Sequence, residues 1–290
     1  MMKDSNAPEE LLKYGSFARI NGINSHVWEF GSGIPLVFIH GFMGATYDWR
    51  FNIPELGKHF AVKAFDLPGF GYSDKPLDFP YSCEGYAEFV KAYLDECGIK
   101  KAVLVGNSMG GQIALGTCLK YSDRVSALIL IDSGGYPGSV RLLLFRLLKI
   151  QMIGTVIMSL ITRSAVRYVL KNDILRDSSI ATNDAVNYYY NVYKTANARK
   201  IPPLVVRNMI KDEQHIHSKF NEINCPTLVI WGAQDKVIPP YYAELFKEEI
   251  PNAKLMIVED AGHMPQIDKA KVVNDAIIDL ISKVSPDKYQ

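Results

Sequence analysis

The stretch "LVGNSMGGQIAL", residues 104–115, decides how the rest of the chain is read. It sets Ser108 between Gly106 and Gly110, directly after a run of strand formers and directly before a helical pattern. A strand that turns sharply into a helix strains the backbone in the turn and brings neighbouring chain close, so the residues two before and two after must be small. Gly106 and Gly110 meet that demand, and Gly111 relaxes it further. Such a turn also holds Ser108 at a helix N-terminus, where unpaired amides and the helix dipole favour negative charge. The string G-x-S-x-G proves little alone, since residue frequencies place it by chance in about one chain in ten of this length. A serine hydroxyl is also a weak nucleophile at neutral pH and needs a base.

Outward from this turn, short aliphatic and β-branched runs alternate with longer helical patterns. "SFARI" and "SHVWEF" read as an antiparallel pair joined through Asn21-Gly22, a dipeptide that tolerates positive φ. "PLVFIH" (35–40), "AVKAFD" (61–66) and "KAVLVGN" (101–107) are nearly continuous apolar runs, as strands covered on both faces are. Between the last two, "SCEGYAEFVKAYLDECG" places Tyr86, Phe89, Val90 and Tyr93 at helical spacing and stops at Gly98. Strand, helix, strand in that order implies right-handed parallel crossovers. After the helical "MGGQIALGTCLKY" comes a sixth strand, "VSALILIDS" (125–133). Residues 134–219 then lack a convincing strand and carry amphipathic stretches behind the Gly/Pro-rich "GGYPG", which reads as a helical insertion. Alternation resumes with "PTLVIWGA" (226–233), the helix "PPYYAELFKEEI", the strand "AKLMIVED" (253–260) and a closing helix from Gln266 to Val284. The expected fold class is α/β: an eight-stranded, mostly parallel open sheet flanked by helices. Its core segments are 1–133 and 220–290, with the helical insertion 134–219 after strand six.

The chain has six histidines from which to supply a base. His263, in "EDAGHMPQ", follows the C-terminal end of the last strand, the edge where open α/β sheets assemble sites. His26 lies within an early strand and His59 before one, so both read as structural or exposed. His215 and His217 alternate in "EQHIHSK" with no cysteine or acidic ligand cluster beside them, and no metal site is expected there. Asp235, in the loop after "LVIWGA", is the acid that would orient His263, and Asp132, after "LILI", is a rival. Ser108, Asp235 and His263 follow one another in that chain order, each at the C-terminal end of a strand. Two backbone N–H groups would receive an oxyanion: Met109, directly after the nucleophile, and Phe42 in "HGFMG" (40–44), where Gly41 permits a tight turn. His40 reads as a turn residue rather than a second base.

Composition narrows the function classes. The 290 residues, 48% apolar and 22% charged, suffice for one large α/β domain with an inserted subdomain and give no sign of disorder. Thirty-two basic residues against 31 acidic ones leave a net charge of +1, which offers no field to hold nucleic acid. Cys83, Cys97, Cys118 and Cys225 form no C-x-x-C pair and read as reduced thiols. "MMKDSNAPEELLKYG" has no apolar core of a signal or transit peptide, so a cytoplasmic location is expected. The apolar "LLLFRLLKIQMIGTVIMSLI" (142–161) is interrupted by Arg146, Lys149 and Gln151, which predicts a buried or interfacial helix pair without stable membrane insertion.

Taken together, "HGFMG", "DLPGFGYS", "GNSMGG", "YSDRV", "WGAQDKVIP" and "AGHMPQ" resemble, in order, the motifs of the α/β-hydrolase superfamily over nearly the whole chain. The resemblance implies a helical cap at 134–219 and cofactor-free hydrolysis of a small-molecule substrate through an acyl-enzyme. Family members that act as haloalkane dehalogenases or epoxide hydrolases use an aspartate nucleophile, and Ser108 argues against that chemistry. The tyrosines at 188–190 and 193 are similar to epoxide hydrolase cap tyrosines, but without the aspartate they read as an amphipathic cap helix. "GNSMGG" also resembles carbon–carbon bond hydrolases of ring-cleavage products, although Met264 and Pro265 follow His263 where those typically carry tryptophan. Cofactor-free haloperoxidases and perhydrolases share the same three residues. The expected activity is cleavage of a small hydrophobic carboxylic ester, with a hydrolase-fold ligand receptor as the non-enzymatic alternative.

Overall fold

The computed structural model describes residues 15–283, so the expectations for residues 1–14 and for Val284 lie outside the described chain. Eight strands form one sheet: β1 (Gly15–Ile20), β2 (Ile23–Phe30), β3 (Pro35–Ile39), β4 (Ala61–Phe65), β5 (Ala102–Asn107), β6 (Val125–Ile131), β7 (Thr227–Gly232) and β8 (Ala253–Val258). Their spatial order is β1-β2-β4-β3-β5-β6-β7-β8. β2 pairs antiparallel with β1 and with β4, and every other pair is parallel. The β1–β2 hairpin turns at Asn21 (φ +46°) and Gly22 (φ +83°), the positive-φ pair that the dipeptide anticipates.

Alternate side chains of each central strand enter opposite cores. Val37, Ile39, Leu104, Leu128 and Leu130 face one side; Leu36, Phe38, Val103, Val105 and Ile129 face the other. Helices α1 (Cys83–Glu96) and α2 (Met109–Lys120) cover the first side through Tyr86, Phe89, Ile113 and Leu115. Ser82 caps α1 by accepting the Gly85 N–H at 3.1 Å. The second side is closed by the C-terminal helix through Val273, Ile277 and Ile281. Because both faces are covered, β5, β6 and β7 are buried along their whole length.

Between β6 and β7 the chain forms α3 (Leu143–Leu148), α4 (Gln151–Ser159), α5 (Arg163–Val169), α6 (Asn183–Val192) and α7 (Ile201–His217). No single helix among the described residues is long and apolar enough to cross a membrane. The apolar run predicted at 142–161 is only partly buried: Met152, Val156 and Leu160, four residues apart on α4 and its C-cap, are 83%, 58% and 71% exposed. Helix α8 (Tyr241–Glu249) packs Phe246 on the first core.

The closing helix departs from the single element expected from Gln266. It is split into one turn, Pro265–Asp268, and α9 (Ala270–Lys283), with Lys269 at φ −134° between them. The cause is Asp268, whose carboxylate accepts the backbone N–H groups of Gly262, Arg176 and Asp177 at 2.8, 3.0 and 3.1 Å.

Candidate active site

Ser108 joins β5 to α2 with φ +55° and ψ −119°, a backbone conformation that side-chain-bearing residues rarely adopt. Hydrogen bonds hold it there. Its N–H donates to the Ile131 carbonyl at 2.9 Å, and its carbonyl accepts the N–H groups of Gly134 (2.9 Å) and Gly111 (3.0 Å). The glycines around it are set by contact. A Cβ on Gly106 would meet the Gly110 backbone, one on Gly110 the Ile39 carbonyl, and one on Gly111 the Ser133 side chain. Met109 is the first residue of α2, so its N–H has no partner within the helix.

The loops after β7 and β8 bring Asp235 and His263 together. His263 Nδ1 donates to Asp235 Oδ2 at 2.8 Å, with both residues buried. Asp235 Oδ1 accepts the N–H groups of Val237 (2.7 Å) and Ile238 (3.1 Å), which fixes the carboxylate plane. The His263 backbone is held from two sides: its N–H donates to the Ile174 carbonyl at 2.8 Å, and its carbonyl accepts Asn107 Nδ2 at 3.2 Å. Asn107 therefore ties the residue before Ser108 to the histidine loop.

Asp132 also lies in this cluster, its ligating atoms within 4.8 Å of those of Asp235 and His263. It is fully buried and takes one backbone donor, Gly232 N–H at 3.0 Å on Oδ1. Burial first, and the facing Asp235 carboxylate second, push the Asp132 carboxyl far above the usual carboxylate range. The rival acid is a neighbour of the Asp235–His263 pair, while the hydrogen bond of His263 goes to Asp235.

A pocket opens over the turn, with Ser108, Met109 and Phe42 in its wall. Gly41 packs against the elbow; a Cβ there would stand 3.3 Å from Ser108 Cβ. The rest of the lining is mostly apolar and comes largely from the helical segment, including Phe145, Val205 and Met209. His40 belongs to the scaffold. Its Nδ1 donates to the Gly41 carbonyl at 2.8 Å and its Nε2 accepts the Leu67 N–H at 2.9 Å, so both ring nitrogens are committed. His26 is buried on β2 beside Asp66, at 3.3 Å, and His217 pairs with Glu249 at 2.9 Å on the far end of α7.

Residues 36–276 match the model of the "Alpha/beta hydrolase family". The chain belongs to this alpha/beta hydrolase family. It is 30% identical over 268 residues to the 2-hydroxymuconate semialdehyde hydrolase of Pseudomonas sp. (strain CF600), covering 91% of this chain and 93% of that protein. It is also 30% identical over 246 residues to Lipase 3 of Moraxella sp. (strain TA144), covering 83% of this chain and 75% of the lipase. Among solved structures, a thermophilic esterase from Thermogutta terrifontis superposes with a TM-score of 0.77 at 23% identity, over 93% of this chain and 98% of that one. That likeness is one of fold.

For a member of this family, several site neighbours were not legible as such. Tyr189 and Tyr193, read as parts of an amphipathic helix, reach the core with their hydroxyls: Tyr189 donates to Asp48 Oδ1 at 2.5 Å, and Tyr193 to the Met43 carbonyl at 2.7 Å. Met43 sits at φ +61° next to Phe42, so α6 and the residue after it brace the loop of the expected oxyanion donor. Glu213, on α7, enters the pocket wall beside the elbow. Nothing in "KDEQHIHSK" distinguishes it from a solvated helix face.

Proposed function

We propose that this hydrolase cleaves a small, hydrophobic carboxylic ester through an acyl-enzyme, with Ser108 as nucleophile, His263 as base and Asp235 as the acid that orients it. One observation carries the reading: His263 Nδ1 is occupied by Asp235 Oδ2 at 2.8 Å in a loop tied to the strained Ser108 turn through Asn107. With Nδ1–H directed at Asp235, Nε2 is the nitrogen left to take the Ser108 proton. Ser108 Oγ then attacks the ester carbonyl, and the negative oxygen is received by the N–H groups of Met109 and Phe42. Protonated His263 passes its proton to the leaving alcohol. Water, deprotonated by His263, attacks the acyl carbon, releasing the acid and restoring Ser108. The protein groups complete this cycle with no cofactor. Residues 134–219 act as a helical cap on the core segments 1–133 and 220–290, supported by Phe145, Val205 and Met209 in the pocket wall.

The 30% identity to a 2-hydroxymuconate semialdehyde hydrolase favours a second reading, in which the same groups cleave a carbon–carbon bond of a ring-cleavage product. One experiment addresses both. The wild type is labelled with a serine-directed fluorophosphonate and assayed on p-nitrophenyl esters and on a ring-cleavage dienoate, beside Ser108→Ala. Ester turnover and label, both lost in Ser108→Ala, are expected. Label on another serine removes Ser108 from the role, turnover of the dienoate alone selects the second reading, and no label with no turnover leaves a receptor.

A further inference from the structure

The ester-hydrolase reading leaves one pocket residue without a task. Glu213 lines the same pocket as Ser108, is 6% exposed, and makes one hydrogen bond among the described residues: its Oε2 accepts the Gly138 N–H at 3.2 Å. Besides Ser108, the wall has one other polar side chain, Gln112, whose Nε2 donates to the Met209 carbonyl at 3.1 Å. Among the described residues, no lysine, arginine or histidine lines the pocket. A substrate arm bound there meets apolar side chains and a single carboxyl group.

We propose that Glu213 is the specificity-determining residue of this pocket, selecting esters whose distal arm is uncharged or cationic and rejecting those that end in a carboxylate. The inference rests on the serine-hydrolase reading of Ser108 and names the substrate class of that site. The physical ground is the absence of screening. A carboxylate brought into a mostly apolar pocket beside another loses water and finds no counter-charge among the described lining residues, whereas an ammonium gains one. A neutral arm costs little either way. Burial pushes the Glu213 carboxyl up to about 7, against the weaker pulls of the Gly138 amide and of Lys149. Among the described residues, the titratable groups that share its field are Lys149, just after α3, and Tyr242 on α8. Rejection therefore strengthens as pH rises through neutrality and Glu213 ionises.

The test compares kcat/KM for three p-nitrophenyl esters of similar length: butyrate (neutral), hydrogen glutarate (anionic) and 4-(trimethylammonio)butyrate (cationic). In the wild type, the neutral ester is expected to exceed the anionic one by about 100-fold at about pH 8, from two like charges held close in a poorly screened site. That ratio shrinks toward about pH 6 as Glu213 takes up a proton. Glu213→Gln keeps an oxygen for the Gly138 N–H, so the neutral ester reports that the variant folds and works. In it the ratio is expected to fall to within about five-fold and to lose its pH dependence, while the advantage of the cationic ester disappears. A wild-type ratio that is flat with pH, or a ratio that moves less than about three-fold in Glu213→Gln, overturns the inference while leaving the hydrolase reading intact. Failure of the wild type to turn over even the neutral ester overturns both.

Discussion

Two buried carboxyl groups facing one histidine raise the question of which one works. Asp235 takes three N–H donors, from Val237, Ile238 and His263, and Asp132 takes one, from Gly232. Of the two, the fully buried carboxyl with the single donor, Asp132, is the one whose pKa is pushed up. Asp235→Asn should lower kcat by about 10³–10⁴-fold, because the amide misdirects the imidazole. Asp132→Asn should keep most of the activity, since the hydrogen bond of His263 goes to Asp235. The pH dependence of stability separates the two roles further. The folded state raises the Asp132 pKa, so it binds a proton that the unfolded chain releases above about pH 4. Stability from this site is thus full below that pH and declines as pH climbs toward the folded pKa, by up to about 1.4 kcal/mol per unit. Urea unfolding at acid and alkaline pH should show Asp132→Asn matching the wild type at low pH and exceeding it at high pH. Equal slopes would show that Asp132 is not protonated in the fold.

Among the elements, the β5–α2 turn has glycines that leave no room for a Cβ. Gly110 is not asked for positive φ; it is asked for an absent Cβ, because the Ile39 and His40 carbonyls occupy that space. Gly98, after α1, is the opposite case, with φ +63° and nothing within 4 Å of an added Cβ. Gly110→Ala should therefore cost about 3 kcal/mol or more and abolish activity, since the backbone that shapes the elbow must move. Gly98→Ala should cost only about 1 kcal/mol of backbone strain and leave kcat unchanged. Thermal melts with ester assays on both variants check the contrast.

Across the whole molecule, the two cores and the helical segment differ in how well they are tied down. Trp28, Trp49 and Trp231 are all fully buried in the sheet cores, and residues 134–219 contain no tryptophan. The helical segment exposes Met152, Val156 and Leu160 yet supplies much of the pocket wall. A segment with less burial opens at lower free energy than the core beneath it. In rising urea, activity should be lost before tryptophan fluorescence shifts. Coincident transitions would show that the segment and the cores unfold as one unit.

The strands, their order along the chain and the residues Ser108, Asp235 and His263 were legible because local chemistry marks them. Continuous apolar runs mark strands covered on both faces, and small residues mark a turn that other backbone approaches. Asp132 could be named as a rival acid but not excluded, because its carboxyl differs from that of Asp235 only in how many donors reach it. Tyr189, Tyr193 and Glu213 sit on helices whose sequence is amphipathic in the ordinary way. That a tyrosine braces the loop beside Phe42, or that a glutamate faces the pocket instead of water, depends on which helix face meets the core across more than a hundred residues of chain. Sequence by itself determined the sheet and placed the candidate site residues at its C-terminal edge, since both follow from neighbours in the chain. Tertiary structure alone decided which buried carboxyl meets the histidine and which side chains line the pocket, since both are set by partners distant in sequence.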